Sequence, residues 1–244
     1  MPILRTAVVT ASAGLLFAGS AHALPLADIE VGARYWQADP SGDVAYQGDD
    51  FDVADDLDFD KEGAPNLYAR AALPFITVDA EYTDLSYDGN IQQTVSTSQW
   101  GGQQVTANGS SSFDATLLHA GAMFNVPLPI VDIGLGLGAT KVDAEAELQT
   151  QAGKETGSAD VTLPVAKAEA RINFPALPLN AGIRANGIGY DGDSYRDITA
   201  EVGYVLGFLQ IKAGYRQIAV DYDSNDLEVD ADFSGPFAGV HLAF

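Results

Sequence analysis

The chain ends on the stretch Phe233–Phe244, FSGPFAGVHLAF, and this stretch decides the fold. Every second residue from Pro236 to Phe244 belongs to one apolar row, P, A, V, L and F, while F, G, H and A stand between them. Such period-two alternation is typical of a β-strand whose two faces meet different surroundings. If this strand closes a barrel, the same alternation should recur along the chain.

The alternation recurs in nine further segments, and none of them has a sustained helical period. The ten segments cover 27–37, 66–73, 76–83, 117–126, 132–139, 166–174, 179–186, 197–206, 209–216 and 233–244. The connections between them alternate between short, apolar turns and longer, polar loops. The turns are 74–75, 127–130, 175–178 and 207–208, and the loops are centred on 39–62, 88–112, 143–160, 191–196 and 223–232.

Short turns on one side and longer loops on the other are typical of bacterial outer-membrane barrels. In hydrocarbon an unpaired sheet edge costs several kcal/mol per backbone group, so the first and last strands should pair. The sequence therefore predicts an all-β fold, a ten-stranded antiparallel up-and-down transmembrane β-barrel.

An exported β-sandwich would also alternate, but its core would need larger side chains than these stripes offer. Their central positions are small or aliphatic and uncharged, as lipid contact requires, and we expect Leu135, Ala168, Ile183 and Val202 to face lipid. Aromatic residues lie at the stripe ends, which predicts two girdles at the membrane interfaces. The girdle residues are Tyr35, Tyr82 and Tyr215 at the loop end, and Phe124, Phe174, Tyr204 and Phe244 at the turn end.

The ending Gly239-x-x-Leu242-x-Phe244 resembles the carboxy-terminal signature by which outer-membrane barrels are passed to their assembly machinery. That resemblance implies the machinery as a partner, through the last strand. The outer membrane of a Gram-negative bacterium is the predicted location, with lipid and lipopolysaccharide around the wall.

A second resemblance begins at residue 24, and we expect it to cover the whole of 24–244. The matching stretches are Leu24–Asp28, Gly32–Trp36, Pro40–Asp43, Asp56–Asp58 and Ala64–Tyr68. They resemble a family of Gram-negative outer-membrane β-barrel proteins without an assigned activity. The resemblance implies a fold and a location, and it brings no catalytic residues.

Residues 1–23 read as a signal peptide, with Arg5, an apolar run from Ala7 to Ala18 and the small-x-small end Ala21-His22-Ala23. The run is too short for a membrane helix, which needs about 20 apolar residues. The predicted domains are the signal peptide at 1–23 and the barrel at 24–244. Because the chain has no cysteine, disulfide and thiolate chemistry are excluded.

The chain has 34 Asp and Glu against 12 Lys and Arg, a formal net charge of −22. So acidic a chain is a poor partner for nucleic acid, whose phosphates require basic surfaces. The inward stripes nevertheless hold as many bases as acids, so the negative charge belongs to the loops. The inward bases are Arg34, Arg70, Lys167, Arg171, Arg184, Lys212 and Arg216, and the acids are Glu30, Asp79, Glu81, Asp132, Glu169, Asp197 and Glu201.

A balanced lumen favours mutual pairing and a packed interior over a selective pore, which presents rings of one sign. The tight turns fix the register, so opposite charges should face each other across hairpins. The predicted pairs are Arg70 with Asp79, Glu169 with Arg184, and Glu201 with Lys212 and Arg216. The alternative is a narrow water-filled path past the many inward glycines, which could equally ease the curvature of the wall.

Three functions follow as alternatives. The leading one is a structural or surface-interaction role; a narrow diffusion channel comes second and a membrane enzyme a distant third. His119 and His241 lie on different strands at different heights, so we expect satisfied luminal histidines, no catalytic site and no cofactor. The acidic loops favour solvated carboxylates, with weak divalent-cation binding as the alternative, and the residues for it are Asp56, Asp58, Asp60 and Glu62.

Overall fold

The computed structural model describes residues 28–46, 49–53, 59–96, 104–150, 153–190, 192–223 and 227–244. Its strands are β1 (Asp28–Tyr46), β2 (Asp49–Asp52), β3 (Glu62–Ala72), β4 (Ile76–Ser96), β5 (Gln104–Pro127), β6 (Val131–Thr150), β7 (Gly153–Asn173), β8 (Leu179–Tyr190), β9 (Asp193–Leu206), β10 (Leu209–Asp223) and β11 (Leu227–Ala243). No helix among these residues is long and apolar enough to cross a membrane. The predicted signal peptide, 1–23, lies outside the described residues and stays a prediction.

Every strand of the barrel is antiparallel to its neighbours, and the barrel is closed. The order runs from β11 down to β3 and then β1, with β2 attached to β1, and β1 also pairs with β11. The closing seam extends from Glu30 opposite Ala243 to Tyr46 opposite Leu227. Apart from β2, ten strands form the wall in the described part of the chain, so the predicted fold is confirmed.

The turns on one side are as short as the sequence predicts. Leu73 N donates to Ile76 O at 2.8 Å around the first turn, and Phe174 N donates to Leu179 O at 3.1 Å around the third. The turn from β9 to β10 uses Gly207 with φ of +66°, a left-handed conformation that favours glycine. These turns place neighbouring strands in a fixed register.

The other side differs from the prediction. Most residues of the predicted loops 88–112 and 143–160 belong to strands, because β4 pairs with β5 as far as Ser96 opposite Gln104 and β6 with β7 as far as Thr150 opposite Gly153. β5 has 24 residues, about 80 Å at ~3.4 Å per residue. At a tilt of about 40° this is about 60 Å of height, well beyond the ~25 Å apolar band of such barrels.

The wall therefore has two zones, which we call the belt and the extension. The belt reaches from the short turns to the level of Tyr35, Tyr82, Leu118 and Tyr215, and its outward side chains are apolar and exposed. Its outward positions carry no charge in the described strands. The extension is the part of the wall beyond that level.

Each long strand has an outward and an inward row of side chains, and the polarity of both rows changes at the boundary between the belt and the extension. On β4 the outward row changes from Val78 in the belt to the exposed Asp84 and Asp88 in the extension. The inward row of the same strand changes from the buried Glu81 to the buried Leu85. The alternation is unbroken, but its apolar side turns inward where the strand leaves the belt.

Above the belt the barrel wall separates into two sheets. The pairing of β3 with β4 stops at Asn66 opposite Thr83, and the pairing of β7 with β8 stops at Ala166 opposite Gly187. Beyond these levels β4, β5, β6 and β7 form one sheet. The other sheet consists of β1, with the first residues of β3 and then β2 on one side of it, and β11, β10, β9 and β8 on the other side. Two splits therefore separate the sheets, one beside β4 and one beside β7.

Candidate functional site

The inward row of the belt carries buried ion pairs, most of them joined in one network, with Lys167 and Asp79 forming a separate pair beside it. Of the fourteen inward charges that the sequence predicts, thirteen take part in these pairs, and each of their side chains is at most 13% exposed. They are Glu30, Arg34, Arg70, Asp79, Glu81, Lys167, Glu169, Arg171, Arg184, Asp197, Glu201, Lys212 and Arg216. The fourteenth, Asp132, accepts a hydrogen bond from Asn173 Nδ2 at 3.4 Å. Removing one partner of such a buried pair costs about 3–5 kcal/mol, because the remaining charge is stranded.

Glu81 is the centre of this network. Its Oε2 accepts a hydrogen bond from Arg184 Nη2 at 2.6 Å and lies 3.8 Å from Arg34 Nη1. Its Oε1 lies 2.9 Å from Arg216 Nη1 and accepts another hydrogen bond from Asn66 Nδ2 at 2.9 Å. One carboxylate thus holds three guanidinium groups, which come from β1, β8 and β10.

A second group of contacts lies closer to the short turns. Lys212 Nζ is bonded to Glu30 and donates to Glu201 Oε1 at 3.0 Å, and the lysine side chain is fully buried. Arg34 Nη2 donates to Glu201 Oε2 at 3.1 Å. His241 Nδ1 lies 2.7 Å from Glu30 Oε1, while its Nε2 accepts from Arg34 Nε at 3.2 Å. These partners fix the tautomer with the proton on Nδ1.

The other histidine has a similar arrangement. His119 Nδ1 lies 2.9 Å from Thr140 Oγ1, and its Nε2 lies 2.5 Å from Lys167 Nζ. Lys167 also donates to Asp79 Oδ2 at 2.9 Å. In both cases a ring nitrogen accepts from a buried cation. The other ring nitrogen of His119 has Thr140 as its partner, whereas Nδ1 of His241 lies beside Glu30 without a hydrogen bond of good geometry.

The register that the tight turns predict is present, but the ion pairs run elsewhere. Arg70 does stand opposite Asp79, and Glu169 opposite Arg184. Arg70 instead reaches Glu169 at 2.9 Å, and Arg184 reaches Glu81. Only the contact of Glu201 with Lys212 follows the prediction.

The reason for this correction is the reach of the side chains. An arginine or lysine on the inner wall extends into the lumen far enough to meet strands that are not its neighbours. Arg216 illustrates this: it binds Asp197 on adjacent β9 through two hydrogen bonds, at 3.0 and 2.9 Å, and also reaches Glu81 on β4. The network therefore crosses the lumen instead of following the hairpins.

Two aromatic residues of this site were missed by the sequence analysis. Tyr68 is buried, with the guanidinium carbons of Arg34 and Arg184 at 4.6 and 5.0 Å from its ring centre. The guanidinium carbon of Arg216 lies 5.1 Å from the ring centre of Trp36. Both contacts are within the ~6 Å range of cation–π interactions. The available signal was their place on the inward rows of β3 and β1, two residues from Arg70 and Arg34 respectively.

The inward glycines give room to the network. A Cβ at Gly32 would overlap the ring of His241, and one at Gly121 would stand 2.5 Å from Lys167 Cδ. A Cβ at Gly239 would meet Arg34 Cγ at 2.8 Å. The space at these three positions is therefore filled by side chains from other strands.

The inside of the extension is an apolar core, which the sequence analysis did not predict. Its members include Trp36, Leu85, Tyr87, Ile218 and Phe237, all at most 5% exposed. Tyr87 Oη donates to the backbone oxygen of Ala38 at 3.3 Å. Burial, with a further contribution from Asp39 and Glu62, raises the pKa of the Tyr87 phenol. The signal that was overlooked is the apolar row of odd-numbered residues on β4 after Thr83.

The predicted girdle residues all point outward. Tyr35 is 59% exposed, Phe124 58% and Phe244 69%, and Tyr82, Phe174, Tyr204 and Tyr215 are exposed as well. At the loop end Tyr215 Oη donates to Ser234 Oγ at 3.1 Å. The four residues expected to face lipid, Leu135, Ala168, Ile183 and Val202, are exposed in the middle of the belt.

The predicted divalent-cation residues are only partly described. Asp56 and Asp58 lie outside the described residues, while Asp60 and Glu62 are exposed. Among the residues that the structure describes, no group of three or more His, Asp or Glu is arranged to hold a metal. Cation binding at this segment stays a prediction.

Comparisons with known proteins bear on the fold. No protein-family model and no curated protein matches the chain, so its resemblance to a particular family stays a prediction. Among solved structures, the outer membrane protease OmpT from Escherichia coli matches with a TM-score of 0.64 at 12% identity, over 89% of this chain and 97% of OmpT. The attachment invasion locus protein Ail of Yersinia pestis matches at 13% identity with a TM-score of 0.40, over 90% of this chain and 99% of Ail.

The likeness to OmpT shows a shared fold. A closed barrel with an uncharged, apolar belt satisfies its backbone internally and presents hydrocarbon-compatible side chains to its surroundings. The fold and the belt together place this chain in the outer membrane of a Gram-negative bacterium, as an integral β-barrel protein.

Proposed function

We propose that this protein is a closed barrel that acts at the cell surface, and that it does not conduct solutes. The observation that carries the proposal is that side chains fill the interior of the barrel in both zones. In the belt the ion network fills the lumen, with Lys212 and His241 fully buried. In the extension the apolar core fills it, with Trp36 and Tyr87 each 1% exposed.

The space that remains within the network is small. A cavity bordered by Arg171, Arg184, Thr199 and Glu201 has a volume of about 10 Å³, which is close to the least that holds one water molecule. Conduction needs a path along which an ion keeps or replaces its hydration shell. Seven bases paired with neighbouring acids at side-chain exposures of at most 13% favour a closed lumen over such a path.

The surface role is preferred to catalysis because both described histidines are engaged inside the belt. His119 and His241 are each held by a cation and by a second polar partner. The outward row of the extension is instead rich in exposed acids, such as Asp84, Asp114 and Asp143. In an outer-membrane barrel the short turns face the periplasm, so this acidic wall would face the exterior.

The proposal includes the surroundings of the barrel. Lipid and lipopolysaccharide would surround the belt, with the girdle tyrosines at the outer interface. The assembly machinery would recognise β11, whose last residues form the closing seam with β1. Deleting Phe244 leaves the residues of all strands in place. It should then reduce the amount of folded barrel in the outer membrane.

Planar-bilayer recording tests the closed lumen. We expect no steady conductance from the wild type. A variant with Glu81→Ala, Arg184→Ala and Arg216→Ala should also stay closed, because the core of the extension remains, and so should a variant with Tyr87→Ala and Ile218→Ala. Only the combination should conduct, provided that its heat-modifiable gel mobility shows a folded barrel. A large, steady wild-type conductance would contradict the proposal and favour a diffusion channel.

A further inference from the structure

The upper part of β7 is a free sheet edge. Residues 153–165 pair with β6 on one side, from Gly153 opposite Thr150 to Val165 opposite Gly138. On the other side the pairing with β8 ends at Ala166 opposite Gly187. No strand in the described part of the chain pairs with residues 153–165 on that side.

The sequence accounts for this split in the wall. Pro164 lies two residues beyond the last pair and has no N–H to donate to a ladder. β8 itself ends at Tyr190, only three residues beyond Gly187, and turns into β9. The inner face of the sheet is also open at this level, since a Cβ added at Gly157 would meet no atom within 4 Å.

The split beside β4 is different, because the chain fills it. Val53 and Phe59, from the connection between β2 and β3, are buried in the core of the extension. The rings of Phe59 and Tyr87 are 5.9 Å apart. This split thus accepts apolar side chains from a connecting segment, whereas the described residues include no such segment for the split beside β7.

The side chains along the β7 split suggest what would occupy it. Its inner side offers apolar groups, among them Val161 and Tyr190, which are 42% and 80% exposed, and the partly buried Leu163 and Ile188. These side chains line the split on its inner side and offer apolar contacts to whatever occupies it.

The outer side of the same edge is acidic. The outward rows of β6 and β7 in the extension carry Asp143, Glu145, Glu147 and Asp160 against two bases, Lys141 and Lys154. Lys141 is shared between Asp160 at 3.2 Å and Asp143 at 3.6 Å, so one ammonium serves two carboxylates. A cationic ligand would therefore gain favourable electrostatic contacts here.

We infer that the upper edge of β7 binds an extended, cationic peptide segment of another molecule as an additional strand. Backbone hydrogen bonds to residues 155–163 would supply affinity, as in other cases of β-strand addition. Alternate side chains point to opposite faces. Apolar side chains would then meet Val161, Leu163 and Ile188 inside, and basic ones would meet the acids outside. The inference rests on the proposed surface role.

A second copy of the chain is a worse occupant. Pairing two β7 edges would bring the acidic outer faces of two copies together, and each copy has a formal net charge of −22. Like charges across a pair of strands are destabilising. A cationic segment has the opposite sign and meets no such repulsion.

The test uses the full-length barrel in lipid nanodiscs and a fluorescent ten-residue peptide of alternating valine and lysine. A peptide alternating valine and glutamate is the matched control. We expect at least tenfold tighter binding of the lysine peptide. Hydrogen exchange should show new protection at alternate amides between 155 and 163. Asp160→Lys should weaken binding at least tenfold, whereas Asp84→Lys, on the β4 side, should leave it unchanged.

Several results would overturn the inference: equal binding of the two peptides, protection elsewhere than at 155–163, or peptide-independent dimers with β7 protected. Gel mobility of each variant shows that the barrel is folded. Conductance is measured separately, so a conducting wild type would remove the closed-barrel proposal and leave the peptide result standing. Absence of β7 protection would remove only the inference.

Discussion

The belt and the extension are built on the same strands but have opposite polarity. In the belt Val78 faces out and Glu81 faces in; a few residues later on β4, Asp84 faces out and Leu85 faces in. The belt is surrounded by hydrocarbon and the extension by water, so each zone turns outward the side chains that its solvent favours. What remains inside must then hold the barrel together by a different interaction in each zone.

The largest expected effect breaks the interior of the belt. Glu81→Ala leaves Arg34, Arg184 and Arg216 without their shared carboxylate, and we expect a loss of about 3–5 kcal/mol in the free energy of unfolding. Urea titration of the barrel in lipid vesicles measures it. Glu145→Ala, an exposed acid of the extension, is the control and should stay within about 0.5 kcal/mol of the wild type.

A double variant distinguishes the energy of an ion pair from the cost of shortening each side chain. Because Arg184 donates to Glu81 at 2.6 Å, Glu81→Ala with Arg184→Ala should cost clearly less than the sum of the single changes. Glu169→Ala with Arg184→Ala should come closer to additivity, since Glu169 bonds Arg70 instead. Equal coupling in the two pairs would contradict the network described here.

The interior of the extension should respond to loss of volume. Ile218 is 2% exposed in the apolar core, and Ile218→Ala should cost about 2–5 kcal/mol by leaving a cavity. Because this core lies above the belt, the damage should be local. Limited proteolysis should cut the extension of the variant while the belt strands stay protected, and equal cutting of wild type and variant would argue against a separate core.

The outer rows offer the next comparison. Leu135 is 64% exposed in the middle of the belt, and Leu135→Arg should cost about 2–4 kcal/mol if it lies at the bilayer midplane. Ser86→Arg, at an exposed outward position of the extension, should have almost no effect. A lipid-soluble quencher should reach a tryptophan placed at 135 and not one placed at 86. Quenching at 86 and not at 135 would show that the belt does not lie in the membrane.

The smallest effect concerns a charge just beyond the belt. A hydrogen bond to Asp160, together with the charges of Asp160 and Asp143, raises the pKa of Lys141. Because the pKa of Lys141 is higher in the folded than in the unfolded state, the contact stabilises the fold. This stabilisation is fully present at pH values below the pKa of the unfolded state, and it is lost as the pH rises through the pKa of the folded state. Side-chain NMR of Lys141 should show the raised midpoint, and Asp160→Asn should lower it. An unchanged midpoint in that variant would mean that the contact is not formed in solution.

The belt could be predicted from the sequence because its signals are local. Period-two alternation and short turns fix the strands, their order and their register, as the pairing of Arg70 with Asp79 illustrates. The choice of ion partners could not be predicted in this way. It depends on which long side chains meet across the lumen, and this requires the closed barrel.

The extension was missed for a different reason. Its outward row is rich in Asp, Ser, Thr and Asn, residues that usually indicate loops. The inward apolar row, with Leu85 and Tyr87 on β4, has the opposite phase to the belt stripe of Ile76 and Val78. A search for one continuous stripe therefore ends at the boundary, although the strand goes on.

The acids outside the extension also bear on how the chain enters the membrane. The extension lies on the side opposite the short turns, so its residues have to cross the hydrocarbon before the barrel is complete. A carboxylate at the bilayer centre costs about 2.5–3.5 kcal/mol, and residues such as Asp84, Asp114 and Asp143 raise the barrier to unassisted insertion. The same barrier opposes passage of the extension back through the hydrocarbon. The finished barrel therefore keeps a single orientation for kinetic reasons.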